Sequence, residues 1–304
     1  VNVQRAGPST GMPTKTEQAD LFQALYGRSG EAPLPVLAPA SPAECFSLAF
    51  DAARIALEYM TPVVLLSDAF LANSAETWRV PEPHSLPEIH TNLFRPQAAE
   101  SSAFLPYKRD ETTLARPWAI PGMPGLEHRI GGLEKEHQTG NVSHNAHNHE
   151  TMTGLRAEKI LRVAASLPKA QLEPLSDENA KLGERQKDEI LLVGWGSSFG
   201  SIAAAAAELR RKGLRARHLH LRFIHPFQHG VESILRSFRR VFVAELNSGQ
   251  LHSVLQGAFC VPIRRITKMQ GQPFTAREIV EAVEKALGEG ESSAPHSEAF
   301  SHAV

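Results

Sequence analysis

The sequence predicts an α/β protein with a mostly parallel sheet, and three observations carry that expectation. From residue 187 to 287, short apolar runs alternate with stretches of helical periodicity, the pattern of βαβ units. Earlier, a capped amphipathic helix at 41–60 runs straight into an apolar strand, Val63 to Ser67, of the kind buried inside a parallel sheet. The chain has 304 residues, 42% of them hydrophobic and 21% charged, which is enough apolar material for two ordinary globular domains.

Taken in order, residues 1–20 read as a strand, a Gly/Pro loop and a helix start. Thr14 and Glu17 have capping-box spacing, so a helix is expected over Gln18 to Tyr26, ended by Gly27. A proline-rich connection at 28–40 surrounds a short strand, Val36-Leu37-Ala38. Ser41 is a helix cap with Pro42 at the first helical position and Glu44 completing the box. Phe46, Ala49, Phe50, Ala53, Leu57 and Met60 then recur every three or four residues. Thr61-Pro62 stops the helix, and Asp68 follows the strand. Residues 80–150 are rich in Pro, Gly and His, a long irregular stretch of the kind that serves function or an interface. Helical spacing returns from Thr151 to Leu167, and Lys169 to Arg185 reads as a polar linker.

A second domain is expected from about Lys187. Its strands are Ile190–Val193, Arg217–Leu221, Val241–Ala244 and Pro262–Ile266. Its helices are Ile202–Arg211, Val231–Phe238, Gln250–Gln256 and one opened by the Thr275/Glu278 capping box and running to Leu287. The tail after residue 287 is Gly-, Ser- and Glu-rich and is expected to be disordered.

Composition excludes several classes. A net charge of -1 gives no global field for nucleic acid or an anionic membrane. No apolar run approaches the roughly 18 residues of a membrane span, and the start has no signal-peptide layout. Two distant cysteines, Cys45 and Cys260, cannot build a four-cysteine cluster; both are expected to be buried, and the protein cytoplasmic. The opening Val1-Asn2-Val3-Gln4-Arg5 reads like a strand cut in the middle, so the chain is expected to be a fragment.

The loop Arg5-Ala6-Gly7-Pro8-Ser9-Thr10-Gly11-Met12-Pro13-Thr14 gathers a guanidinium, three hydroxyls and two glycines in ten residues. Such a loop suits an anion: Arg can grip a carboxylate with two parallel hydrogen bonds, and glycine lets backbone approach a ligand. Its alternative is a surface arginine on a Gly/Pro loop. Gly194-x-Gly196-x-x-x-Gly200 looks like a dinucleotide fingerprint. The next strand, Arg217 to Leu221, ends without the acid a Rossmann site wants, so a strand-to-helix turn needing small residues is the plainer reading. His144, His147 and His149, with His128 and His137, lie on a stretch without a scaffold for zinc and read as solvated loop histidines; no metal site is expected in this chain. Asp68 and Asn73 follow a strand end and read as loop caps; Glu245 and Asn247 read as hydrogen-bonding groups at a domain interface.

The opening loop, continued through Lys15-Thr16-Glu17-Gln18, resembles the RxGPSTGxPTxTxQ stretch of α subunits of 2-oxoacid:ferredoxin oxidoreductases. Arg116-Pro117-Trp118-Ala119-Ile120-Pro121-Gly122, Gly132-Leu133-Glu134 with Thr139-Gly140, Arg156-Ala157-Glu158-Lys159-Ile160, Glu245-Leu246-Asn247-Ser248-Gly249-Gln250-Leu251 and Gly271-Gln272-Pro273-Phe274 are similar to the same family, in register over roughly residues 1–287. The resemblance implies the C-terminal part of a pyrimidine-binding thiamine-diphosphate fold (residues 1–95), a Pro/Gly/His-rich connection with one helix (96–186), a transketolase-C-terminal-like doubly wound domain (187–289) and a tail (290–304). It implies oxidative decarboxylation of a 2-oxoacid, with 2-oxoglutarate favoured by the GLEKE…TGN segment, to acyl-CoA and CO2 with reduction of ferredoxin. Thiamine diphosphate would be shared with a β subunit that carries Mg2+ and an iron–sulfur cluster. Arg5 and Thr14 would contact the substrate's carboxylate, with Ser9 and Thr10 beside them. No residue of the chain is assigned a catalytic role, since the activating glutamate is expected upstream of Val1, and the chain alone is expected to be inactive. The implied partners are the β subunit, ferredoxin, the 2-oxoacid and CoA, with neither nucleic acid nor membrane. Two other readings are a nucleotide-binding regulatory module on 190–287 and a purely structural subunit contact.

Overall fold

A computed structural model describes residues 1–95, 104–175 and 190–289. The start of the second domain near Lys187 and the tail at 290–304 lie outside the described residues, as does part of the linker expected at 169–185.

The first unit is built on β1 (Asn2–Gln4), α1 (Leu21–Tyr26), β2 (Val36–Leu37), α2 (Glu44–Tyr59), β3 (Val64–Asp68), α3 (Ala69–Asn73) and α4 (Ala146–Arg162). The second runs β4 (Ile190–Trp195), α5 (Phe199–Arg211), β5 (Ala216–Leu221), β6 (Phe223–His225), α6 (Val231–Ser237), β7 (Arg240–Glu245), α7 (Gln250–Phe259), β8 (Arg264–Thr267) and α8 (Ala276–Glu289).

The second sheet has strand order β5-β4-β7-β8 and is parallel throughout. Successive side chains of a strand point to opposite faces. On β4, Leu191, Val193 and Trp195 therefore join a core that includes α1, α7 and Leu66 of the first unit. Ile190 and Leu192 face the other way, against α5 and α8. Strands buried on both faces read as continuous apolar runs, which is why this part of the sequence was legible. The Thr275/Glu278 box is present: the Glu278 carboxylate accepts from Thr275 N at 2.7 Å, and Glu278 N donates to the Thr275 hydroxyl at 3.3 Å.

The first sheet has order β1-β3-β2-β6. β1 and β2 both run parallel to β3, while β6, a segment of the second unit's chain, pairs antiparallel with β2. One apolar core, with Val36, Leu66, Val193 and Leu221 in it, passes between the two sheets. The opposite face of the first sheet is covered by α2 and by residues just after α4, through Leu48, Ile55, Val163 and Leu167.

Four expectations are corrected. The helix predicted from Gln18 begins at Leu21, because Gln18 spends its backbone groups across the sheets: its N–H donates to the Leu246 carbonyl at 2.9 Å and its carbonyl accepts from Asn247 Nδ2 at 2.8 Å. Glu17 therefore caps no helix. His147 and His149 stand in the first turn of α4 rather than on a loop, and His149 Nδ1 lies 2.7 Å from Glu134. The cysteines are not buried: Cys45 is half-buried and Cys260 exposed. No helix among the described residues is long and apolar enough to cross a membrane.

Candidate functional site

In open α/β sheets, ligands gather at the carboxyl ends of the strands. Pairing of Gln4 with Asp68 puts the exits of β1 and β3 side by side, so the Arg5–Thr14 loop and Asp68 share one sheet end. The loop is closed at its base by Ala6 N donating to the Lys15 carbonyl at 2.9 Å, and by Met12 N donating to the Ala6 carbonyl at 3.0 Å. Gly11 needs to be glycine: at φ +49°, a Cβ there would lie 2.1 Å from the Ala6 carbonyl oxygen. Ser9 and Thr14 adopt positive φ as well, at 54° and 65°. Such backbone is costly for residues with a Cβ and is held by its surroundings.

Arg5 is exposed and holds its own loop. Its Nη2 donates to the Ser9 carbonyl at 2.7 Å, and Nη1 donates to the Thr10 carbonyl. The side chains of Ser9, Thr10 and Thr14 are exposed at the same turn. The four residues expected to bind the substrate thus share one exposed, tightly folded loop. Beneath it lies the second unit. A Cβ on Gly271 would come within 2.7 Å of Met12 Cε and 2.9 Å of Lys15 Cβ, so the loop leans closely on that turn.

The seam below the loop is polar and paired. Gln18 is fully buried; its Nε2 donates to the Trp195 carbonyl at 2.7 Å, and its Oε1 accepts from Leu246 N at 2.9 Å. Asp68 caps α3, accepting from Phe70 N at 2.9 Å and Leu71 N at 3.2 Å, and also accepts from the Thr16 hydroxyl at 3.0 Å and Ser197 N at 3.3 Å. The Asn247 side chain takes Gly249 N and Gln250 N, while Glu245 receives Leu251 N and His252 N at 2.8 and 3.0 Å, covering the start of α7. Burial raises the Glu245 pKa, and these hydrogen bonds oppose that shift. The sequence placed Asn247 at an interface and Asp68 as a cap. It missed Gln18, whose signal was a glutamine within the loop motif, because the same spacing also reads as a helix start.

Gly194-Trp195-Gly196 holds protein where a dinucleotide fold would hold phosphate. A Cβ on Gly194 would meet Ile202 Cδ1 at 2.1 Å, and one on Gly196, at φ +57°, would meet Gln18 Nε2 at 2.7 Å. His220 Nε2 lies 3.0 Å from the Gly196 carbonyl, which can only accept, so that nitrogen carries the hydrogen. Nδ1 of His220 is then the acceptor for His218 Nε2–H at 3.3 Å, leaving His218 Nδ1 buried without a partner. Burial, with Arg222 nearby, lowers His218 to about 3, and burial with His218 holds His220 well below the usual histidine range. Both rings are therefore neutral struts under the turn.

A mixed, mostly parallel sheet with a guanidinium-and-hydroxyl loop at its strand ends, followed by a second, fully parallel sheet, is the arrangement to compare with known proteins. Residues 1–148 match the family described as pyruvate flavodoxin/ferredoxin oxidoreductase, thiamine diP-bdg, and residues 180–283 match the transketolase C-terminal domain. The chain is 47% identical to the 2-oxoglutarate oxidoreductase subunit KorA of Mycobacterium tuberculosis over 288 residues, 94% of this chain and 42% of that protein. It is 32% identical to 2-oxoacid:ferredoxin oxidoreductase 2, subunit alpha, of Aeropyrum pernix, over 94% of this chain and 43% of that one. Among solved structures, the 2-oxoglutarate:ferredoxin oxidoreductase of Magnetococcus marinus, with 2-oxoglutarate, coenzyme A and succinyl-CoA bound, superposes with a TM-score of 0.82 at 30% identity, over 93% of this chain and 47% of that one. Over most of its length the chain is similar to α subunits of 2-oxoacid:ferredoxin oxidoreductases. It spans less than half the length of these three relatives.

A cation and three hydroxyls on one exposed loop suit an anionic ligand. Among the described residues no group of three or more His, Cys, Asp or Glu is placed to hold a metal ion.

Proposed function

We propose that this chain works within the α subunit of a cytoplasmic enzyme that decarboxylates 2-oxoglutarate oxidatively, giving succinyl-CoA and CO2 and passing the electrons to ferredoxin. A β subunit would complete the site and carry Mg2+ and an iron–sulfur cluster. Within the chain, residues 1–95 serve as the thiamine-fold part, 96–186 as the connection and 187–289 as the transketolase-like domain. When bound, thiamine diphosphate supplies the nucleophilic carbon and the electron sink for loss of CO2.

The chain's own residues position the acid. Arg5, tethered through its Nη atoms to the Ser9 and Thr10 carbonyls, offers a preset cation for the substrate carboxylate. The Thr14 hydroxyl, with those of Ser9 and Thr10, supplies donors on the same rim. The Gly271 turn and the Gln18 seam hold this rim against the second domain, so the clamp does not have to be ordered at each turnover. The observation that carries the reading is the loop itself: a guanidinium and three hydroxyls on strained backbone at the strand ends. The nucleotide-module reading is disfavoured by Gln18 occupying the space next to Gly196.

Arg5→Ala in the assembled enzyme should raise KM for 2-oxoglutarate by about tenfold or more, the equivalent of one lost charge-assisted hydrogen bond. Steady-state kinetics with 2-oxoglutarate and pyruvate as alternative substrates would test both the clamp and the substrate; an unchanged KM would remove the role given to Arg5.

A further inference from the structure

The segment at 104–118 touches α4, where Arg162 Nη1 donates to the Glu111 and Thr112 carbonyls, and brings positive charge to positive charge. Arg156 and Lys159 are three residues apart on α4 and so share a face. Arg156 has an acid partner, Glu134, at 3.2 Å. The other cations have none among the described residues. The Lys159 ammonium is buried and donates to one neutral acceptor, the Met60 carbonyl at the end of α2, at 3.0 Å, leaving two of its three N–H groups unused. Arg109 donates once, from Nη1 to the Leu114 carbonyl at 2.9 Å, and its Nε is buried without an acceptor. The side of that guanidinium which grips an oxyanion in bidentate fashion, Nε with Nη2, is thus unpaired. Arg116 is held with its guanidinium 4.3 Å from the centre of the Tyr107 ring, an attraction that leaves its N–H groups free for another acceptor.

Grouped and partly desolvated cations repel one another and lose hydration, and proteins rarely keep such a set without a counter-charge. The mutual effect is visible in their acidities. Burial, reinforced by Arg109 and Arg116, lowers Lys159 to about 7, and burial with Arg116 and Arg156 lowers Arg109 to about 10. The loop at Arg5 differs in kind: its guanidinium is exposed and tethered to two carbonyls of its own loop.

We propose that Arg109, Arg116 and Lys159 form a binding site for a small oxyanion of two or more negative charges, a phosphate group or a dicarboxylate, separate from the Arg5 loop. Arg109 would take two oxygens side-on after a small swing of its Nε edge, with Arg116 and Lys159 closing on the others. Bound anion would restore Lys159 to the charged form.

The test is competitive labelling of lysines with acetic anhydride across a pH series, on the complete enzyme, read at Lys159 by mass spectrometry. With chloride alone the apparent pKa should be near 7. Millimolar inorganic phosphate or glutarate, at matched ionic strength, should raise it by about one unit or more, and neither R109Q nor R116Q should show the rise. A rise with phosphate alone identifies the anion as a phosphate group; a rise with glutarate alone identifies a dicarboxylate. No rise with either anion, or an equal rise in both variants, would overturn the site. Equilibrium dialysis with radioactive phosphate and radioactive glutarate decides the matter if the reagent cannot reach Lys159. One equivalent per chain that R109Q loses supports the site, and no R109Q-sensitive equivalent of either anion refutes it.

Discussion

The interior of the second sheet and the seam between the two sheets are both buried, yet they are held by different physics. Leu192 and Phe242 pack against Ile202 of α5 and Ile279 of α8 in an apolar cluster. At the seam, Gln18, Asp68, Thr16 and Asn247 lie at or near zero exposure, and their side chains bond to side chain or backbone across 52 to 229 residues of sequence. The dry side depends on area and shape, and tolerates an exchange of one hydrocarbon for another of like volume. The seam depends on donors meeting acceptors, and a single lost partner leaves others buried and unsatisfied. The difference explains why the sheet can be robust while the alignment of the two units is specified by only a few side chains.

The contrast can be broken most strongly on the dry side. Phe242→Ala should destabilise the second unit by about 3–5 kcal/mol, the usual cost of truncating a buried aromatic. Denaturant unfolding followed at that unit would measure it, and a loss below about 1 kcal/mol would mean the cluster collapses into the gap. At the seam, Gln18→Ala should cost about 1–3 kcal/mol by stranding the Leu246 N–H, while the Trp195 carbonyl keeps the Ser198 hydroxyl. Here the informative readout is hydrogen exchange: the amides of Leu246 and Ser197 should lose protection while those of β4 keep it. Equal loss in both places would show that seam and sheet open together. A third effect is electrostatic and should appear in pH titrations of stability. Lys159, lowered to about 7 from its ordinary 10.5, is less protonated folded than unfolded between those values. Stability should therefore rise with pH across that window, and Lys159→Met should flatten the rise. His218, lowered from 6.5 to about 3, acts in a lower window: stability falls as pH drops from 6.5 toward 3. A profile flat in both windows would contradict the burial of both groups.

How much of this was legible in the sequence follows the same division. Strands β4 and β7 and helices α5 to α8 announce themselves, because residues buried on both faces of a strand are mostly apolar and helices keep one apolar side. The seam does not, since Gln18 looks alike whether it starts a helix or bridges two domains. β6 escaped notice for another reason: three residues, Phe223 to His225, show no periodicity, and their strand character comes from the waiting edge of β2. The candidate site was legible as a motif. Its mechanics were not: the carbonyl tether on Arg5 and the left-handed backbone at Ser9 and Thr14 depend on a loop closed by Ala6 and Lys15. Arg109 and Lys159 are 50 positions apart, and nothing in either neighbourhood forecasts that they share a charge problem.

β6 has one last consequence. Because a length of the C-terminal half is stitched into the N-terminal sheet, the halves resemble two pages sewn through rather than two covers on a hinge. Swinging them apart would tear the pairing of Val36 with His225 and of Leu37 with Phe223 and uncover a raw strand edge. A ligand arriving at the Arg5 rim thus meets a floor already fixed in place. Cutting the gene between the two domains would not free two tidy pieces, since one would leave carrying part of the other's sheet.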